Sequence, residues 1–185
     1  RQLPTLIRIA VSHYQFETIH PFLDGNGRMG RLLITLQMLQ SKLMAKPVLY
    51  LSDFFERNRM EYYQALDRVR FTDSLDHWLR FFLTGVIQTA QNSKKTFVDI
   101  GTLRDSYRER IKSLGKREKL AKELLLQLYS SPVVSPREAE KKLGVTAATT
   151  NRLISELEKL GILQELTGYS RNRLYALHEY LEIFR

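Results

Sequence analysis

Between residues 20 and 30 the chain sets one proline and three glycines, and apolar residues at helical spacing run up to this break from both sides. Before it stand Leu6, Ile7, Ala10, Val11, Tyr14 and Ile19; after it stand Leu32, Leu33, Leu36, Leu39 and Leu43. A stripe of that period predicts one helix over 3–19 and another over 28–42. Pro21 disfavours helical geometry at His20, so the first helix must stop there. The segment 21–27 is then a short loop. Two helices are forced to meet at a tight, glycine-bearing turn.

Downstream, Pro47 and the run Val48–Leu51 read as a connector. Ser52 reads as a helix cap, with further helices over 55–70, 74–92 and 97–114. No internal repeat and no low-complexity tract is present. Around Leu114–Lys116 the pattern changes. A helix over 118–129 buries Leu120, Leu124, Leu125 and Leu128. Ser135-Pro136 opens another helix, with Ser as cap and Pro at the first turn. A third helix runs over 146–160 and ends at Gly161. Strands over 162–166 and 173–177 flank a turn at Gly168. Helix, helix–turn–helix and hairpin in that order describe a winged helix-turn-helix module. The fold class expected is mainly α: a helical bundle over 1–92, a connecting helix over 93–116 and a small winged module over 117–185.

Composition removes several functions. With no Cys among 185 residues, disulfide frameworks, thiolate zinc sites and cysteine nucleophiles are excluded. No apolar run approaches the roughly 20 residues of a membrane helix, so no membrane span is expected. Cysteine absence fits a reducing compartment, and the cytoplasm is the expected location. The first residue is Arg1 rather than Met and no signal-peptide pattern follows, which reads as a fragment. Residues 1–116 hold 18 basic against 11 acidic side chains, and residues 117–185 hold 11 against 9. An anionic ligand is therefore easiest to place in the first part.

The break itself gathers unusual chemistry. His20-Pro21-Phe22-Leu23-Asp24-Gly25-Asn26-Gly27-Arg28-Met29-Gly30-Arg31 holds an imidazole, a carboxylate, a carboxamide and two guanidinium groups. Gly25-x-Gly27-x-x-Gly30 formally matches a dinucleotide fingerprint, but a helix precedes it and no βαβ unit surrounds it. The loop suits a nucleoside triphosphate instead. Gly25 and Gly27 let backbone approach phosphate oxygens, and the following helix start offers free amides at a positive dipole end. Arg28 and Arg31 share a helix face and can fork onto phosphates. Asp24 is a hard oxygen ligand suited to Mg²⁺. His20 can take a proton from a hydroxyl near neutral pH.

The string fits the motif of the Fic family, His-x-Phe-x-(Asp/Glu)-Gly-Asn-Gly-Arg-x-x-Arg, at every fixed position. The flanks 13–19 and 50–55, with Asn58-Arg59, also resemble bacterial Fic proteins that end in a winged helix. The resemblance implies a Fic-type bundle and protein adenylylation, in which a target hydroxyl attacks the α-phosphate of ATP. It makes His20 the general base and Asp24 the Mg²⁺ ligand. It assigns Asp24, Gly25, Asn26, Gly27, Arg28, Met29, Gly30 and Arg31 to the nucleotide, with Asn26 and the Gly27 amide at the α-phosphate and both arginines beyond it. Phe22 would anchor the loop in the core, and Tyr62 and Tyr63 would line the nucleoside pocket. The partners implied are ATP and a target protein.

Two family features are missing from the sequence: a β-hairpin flap before the motif and an inhibitory helix carrying (Ser/Thr)-x-x-x-Glu-(Gly/Asn). Both are expected upstream of Arg1. Ser52-Asp53-Phe54-Phe55-Glu56-Arg57 is the nearest string, and Arg57 breaks it. His77 and Trp78, in an amphipathic helix with Phe81 and Phe82, read as core packing, and His13 and His178 have no partner at metal-ligand spacing. Other readings keep part of the picture. Residues 117–185 could bind DNA through Thr149, Thr150, Asn151 and Arg152 of the third helix and a basic wing at Arg171, Asn172 and Arg173. The module's near-neutral charge speaks against it, and such modules also serve as homodimer contacts. Relatives of the same fold remove AMP or transfer phosphate or phosphocholine.

Overall fold

Helical periodicity dominates the sequence, and helices dominate the computed structural model, which describes residues 3–184. They form two compact units, residues 1–95 and 96–185. No helix among the described residues is long and apolar enough to cross a membrane.

The first unit opens with α1 (Thr5–Ile19) and α2 (Asn26–Gln40), followed by α3 (Leu51–Arg57), α4 (Arg59–Thr72) and the start of α5 (Asp76–Lys112). Their buried faces meet in a core built on Ile9, Ile34, Met38, Phe55, Leu66, Trp78 and Phe82. Trp78 is fully buried, and its indole N–H donates to the Ala10 carbonyl at 2.8 Å, tying α5 to the middle of α1.

Three details depart from the sequence expectation. The buried face of α2 is Asn26, Gly30, Ile34 and Met38, while Leu32, Leu36 and Leu43 are about half exposed. Apolar residues occupy both sides of this helix, so period alone cannot choose the inward side. On α1 the core position falls to His13, and Ile19 is exposed. Ser52 caps nothing: α3 starts one residue earlier, and Asn58 separates α3 from α4.

The two helices expected over 74–92 and 97–114 are one, α5, which carries the border between units at Lys95/Thr96. The 92–97 stretch holds neither proline nor glycine to end it. The last turns of α5 belong to the second unit's core through Tyr107 and Ile111.

That unit continues through a short 3₁₀ turn (Gly115–Arg117) to α6 (Glu118–Leu128), β1 (Val133–Val134), α7 (Pro136–Leu143), α8 (Ala147–Lys159), β2 (Gln164–Glu165), β3 (Tyr175–Ala176) and α9 (His178–Glu182). Ser135 caps α7 in a reciprocal capping box with Glu138, as its sequence foretells. Thr146 caps α8. The sheet is antiparallel in the order β1-β3-β2, with Val133 opposite Ala176 and Glu165 opposite Tyr175. β1 and α9 escaped the sequence reading because a two-residue strand and a five-residue helix carry no measurable period.

Candidate active site

The loop between α1 and α2 is shaped by its own polar groups. Helix α1 ends at Ile19, and His20 takes a left-handed conformation, φ 50° and ψ 58°, with its N–H on the Phe16 carbonyl. A non-glycine residue there carries roughly 1–2 kcal/mol of strain. The result is an imidazole turned out of the helix. Its Nδ1 lies 3.3 Å from the Glu17 carbonyl oxygen. Only a protonated Nδ1 can donate to that carbonyl, which leaves the Nε2 lone pair as the proton acceptor.

Asn26 closes the loop. Its Oδ1 accepts from the Phe22 N–H at 2.9 Å, and its Nδ2 donates to the Phe22 carbonyl at 2.6 Å. The carboxamide is buried at 2% exposure. It therefore holds the loop's shape while lining the cavity. Phe22 is likewise not in the core: its ring is 49% exposed and leans on Phe16 at 6.3 Å. What anchors is its backbone.

Gly25 sits at φ 82° as the residue before α2, a conformation that suits glycine. No side chain caps α2 and no acidic residue lies in its first turn, so its first-turn amides have no side-chain acceptor. A Cβ on Gly27 would lie 3.3 Å from Arg31 Nη1, and one on Gly25 would lie 3.6 Å from Arg28 Nη2. The guanidinium groups thus lie directly over the bare backbone.

These groups face a cavity of about 320 Å³. His20, Asp24, Gly25, Asn26, Gly27, Arg28 and Arg31 line one side, and Phe55, Glu56, Arg59, Tyr62 and Tyr63 the other. Tyr62 is buried at 3% and stacked on Phe55, with ring centres 5.0 Å apart. Tyr63 is half exposed, tilted against Tyr62 at 5.2 Å, with the Arg59 guanidinium 5.8 Å from its ring centre. Arg59 also reaches Glu56 at 3.9 Å. Met29 and Gly30 do not line this cavity. Gly30 faces inward, where a Cβ would come within 2.5 Å of Glu17 Oε1, 3.0 Å of His13 Cε1 and 3.1 Å of Phe16 Cδ1. Its smallness lets α2 approach α1.

Behind the loop lie two titratable groups with shifted equilibria. Burial lowers the His13 pKa to about 4, so its ring is neutral at ordinary pH; Arg31 adds to the effect, and the Gly30 backbone opposes it. Burial raises the Glu17 pKa, while His20 and Arg31 pull it down. Burial, helped by the Glu17 charge, also pushes the Tyr62 phenol up and keeps it protonated.

Asp24 is the one carboxylate of the loop. Its Oδ1 accepts from the Gly25 N–H at 2.7 Å, and its Oδ2 stands 3.7 Å from Arg28, a pair too exposed to hold firmly. No group of three or more metal-ligating side chains occurs among the described residues. A single exposed carboxylate beside a phosphate-sized cavity fits Mg²⁺, which keeps most of its waters and shares the rest of its shell with phosphate oxygens.

Residues 1–38 match the model of the Fic/DOC family. The matched segment is the one that carries the loop. The chain is also 34% identical over 91 residues, 49% of its length, to the protein adenylyltransferase fic-1 of Caenorhabditis briggsae and that of Caenorhabditis elegans. It is 39% identical over 56 residues, 30% of its length, to a probable protein adenylyltransferase of Aquifex aeolicus (strain VF5). These matches cover 16% of each nematode protein and 15% of the Aquifex protein, so the chain spans about a sixth of the length of the relatives it matches.

The loop motif names the cavity residues of the α1–α2 loop, and the tyrosines of α4 join them. It passed over Glu56 and Arg59, whose charge on a helix facing Tyr63 was the available signal. Sequence reading set His13 aside for want of a partner at metal-ligand spacing, because spacing alone cannot show that an imidazole in a core hydrogen-bonds to a tyrosine. The candidates in the second unit are partly assembled. Asn151, Arg171 and Arg173 line one cavity of about 570 Å³ together with Arg137. Thr149 bonds Thr146 at the start of α8, Arg152 leans on Glu156 at 3.6 Å, and Thr150 is fully buried.

Proposed function

We propose that this chain binds ATP with Mg²⁺ in the cavity between the α1–α2 loop and α4, and transfers AMP to a hydroxyl of a protein target. The observation that carries the reading is the convergence of His20, two bare glycines, an uncapped helix start and two arginines on one cavity. Each supplies what phosphoryl-group chemistry needs. Gly27 and the first-turn amides of α2 approach phosphate oxygens; Arg28 and Arg31 balance the charge of the leaving pyrophosphate. Asp24 would hold the Mg²⁺, which neutralises phosphate charge when bound. Tyr62 and Tyr63 offer aromatic surface to the nucleoside. His20, its Nδ1 proton engaged with Glu17, receives the proton of the attacking hydroxyl on Nε2.

The test is transfer of label from α-labelled ATP. His20→Ala should lower transfer by about 10²–10⁴ while ATP affinity stays within about twofold, because proton abstraction and phosphate binding belong to different groups. Undiminished transfer by the variant would falsify the base assignment. Reaction with γ-labelled ATP only would instead favour phosphate transfer.

A second reading concerns residues 96–185. What supports it is the order of helices α6–α8 and a three-stranded antiparallel sheet, with Arg137, Asn151, Arg171 and Arg173 around one cavity. We propose that this face contacts nucleic-acid phosphates. Arg171→Ala/Arg173→Ala in the whole chain should weaken duplex DNA binding and flatten its salt dependence by about two ion equivalents. An unchanged salt slope removes the proposal.

A further inference from the structure

His13 of α1 touches both helices that carry the cavity walls, α4 and α2. Its Nε2 lies 3.0 Å from Tyr62 Oη on α4, a fully buried hydrogen bond. Its Cε1 lies against Gly30 of α2, at the distance where any side chain there would intrude. The ring is held between Phe55 at 5.8 Å and Trp78 at 5.6 Å, both near-parallel stacks, and is 1% exposed. Packing alone does not account for an imidazole at this place. Its Nδ1 and the neighbouring Glu17 Oε1 are buried without partners of hydrogen-bond geometry. An apolar side chain would fill the same space without that desolvation penalty. What the imidazole adds, besides its interaction with the Gly30 backbone, is a directional bond to a tyrosine whose ring otherwise meets Phe55 stacked, Tyr63 and Phe81 tilted and Trp78 edge-on.

We propose that His13 is a positioning residue for the nucleotide: by holding the Tyr62 hydroxyl while packing on Gly30, it fixes the spacing between the α4 wall and the glycine–arginine wall of the cavity. The role rests on the nucleotide reading above. The groups facing His13 are Glu17 from α1, 3.9 Å from its Nε2, Arg31 from α2 and Tyr62 from α4. With the ring neutral, Nε2 accepts from the Tyr62 O–H, and the phenol is turned toward α1.

The experiment is a double-mutant cycle on ATP affinity, measured calorimetrically with Mg²⁺ on the whole chain. Tyr62→Phe and His13→Phe should each weaken binding about three- to tenfold, the worth of one buried hydrogen bond. The double variant should be no weaker than the poorer single one. Turnover of bound ATP should change much less than affinity, and His13→Gln, which retains polar atoms at a similar reach, should recover part of the loss. A merely structural His13 would lower stability without this coupling to the Tyr62 hydroxyl. Multiplied losses, or variants that bind as the unmutated chain does, overturn the positioning role. If His13→Phe does not fold, Tyr62→Phe decides: a loss supports the role, and unchanged affinity overturns it. No ATP binding by the unmutated chain overturns the nucleotide reading itself, a result distinct from either.

Discussion

Acid should destabilise the first unit through His13. In the folded chain burial holds its pKa near 4, against 6.5 for an ordinary histidine. The unfolded chain therefore takes up a proton that the folded one refuses, so stability is full above about pH 6.5 and falls as pH drops toward 4. A gap of about 2.5 pKa steps amounts to about 3.4 kcal/mol, of which roughly 2.5 kcal/mol is lost by pH 4.5. Glu17, whose carboxyl is raised by burial, works in the opposite direction near and above its ordinary pKa of 4.5. Comparison with His13→Gln cancels that contribution, because Glu17 is common to both proteins. The chain has a single tryptophan, Trp78, fully buried beside His13. Urea unfolding read by tryptophan fluorescence thus reports this unit alone. The unmutated chain should lose about 2–3 kcal/mol more than His13→Gln between pH 7 and pH 4.5. Parallel pH profiles for the two proteins would refute the reasoning.

Three further outcomes follow from particular contacts. Gly30→Ala gains helix propensity of about 1 kcal/mol but drives a methyl into His13 and Phe16, so a net loss of about 1–2 kcal/mol is expected in chemical denaturation; a stabilised variant would show that α1 and α2 yield. Asn26→Ala removes both bonds to Phe22, and ATP affinity should fall about tenfold or more in calorimetry, with the loop amides of 22–27 exchanging hydrogen faster; unaltered exchange would mean the loop is held by something else. Ser135→Ala should cost about 1 kcal/mol through its lost capping box, seen in the melting of the second unit by near-ultraviolet circular dichroism; an unchanged melt would remove that role from the cap.

The loop was legible because proline, glycine and charge coincide in twelve residues, each with a local conformational or chemical meaning. Tyr62 and Tyr63 came from family resemblance, and both line the cavity that the loop also lines. The role of Asn26 was not legible: a carboxamide can face a phosphate or its own backbone with equal ease, and only the fold of the loop decides. The inward side of α2 was misjudged for a related reason. Leucine is read as core by default, yet Asn26 and Gly30 take the buried side because α1 crosses too closely there for larger groups. The continuity of α5 also escaped, since a change of composition along a helix looks like a boundary. One practical result is that a piece cut at residue 117 would leave Tyr107 and Ile111 behind, two fully buried members of the second unit's core.

The bonds between Asn26 and Phe22 use only the loop's own groups. Ordering five residues of backbone opposes folding by about 5–10 kcal/mol. Because the clamp closes within the chain, that entropy is surrendered when the protein folds and not when a ligand arrives. Association should accordingly be quick and enthalpically simple, without the slow phase of a loop that must first find its shape. The other side of the bargain falls on stability: the native state permanently carries a stiffened turn, a left-handed histidine and an uncapped helix start, none of which helps it to fold.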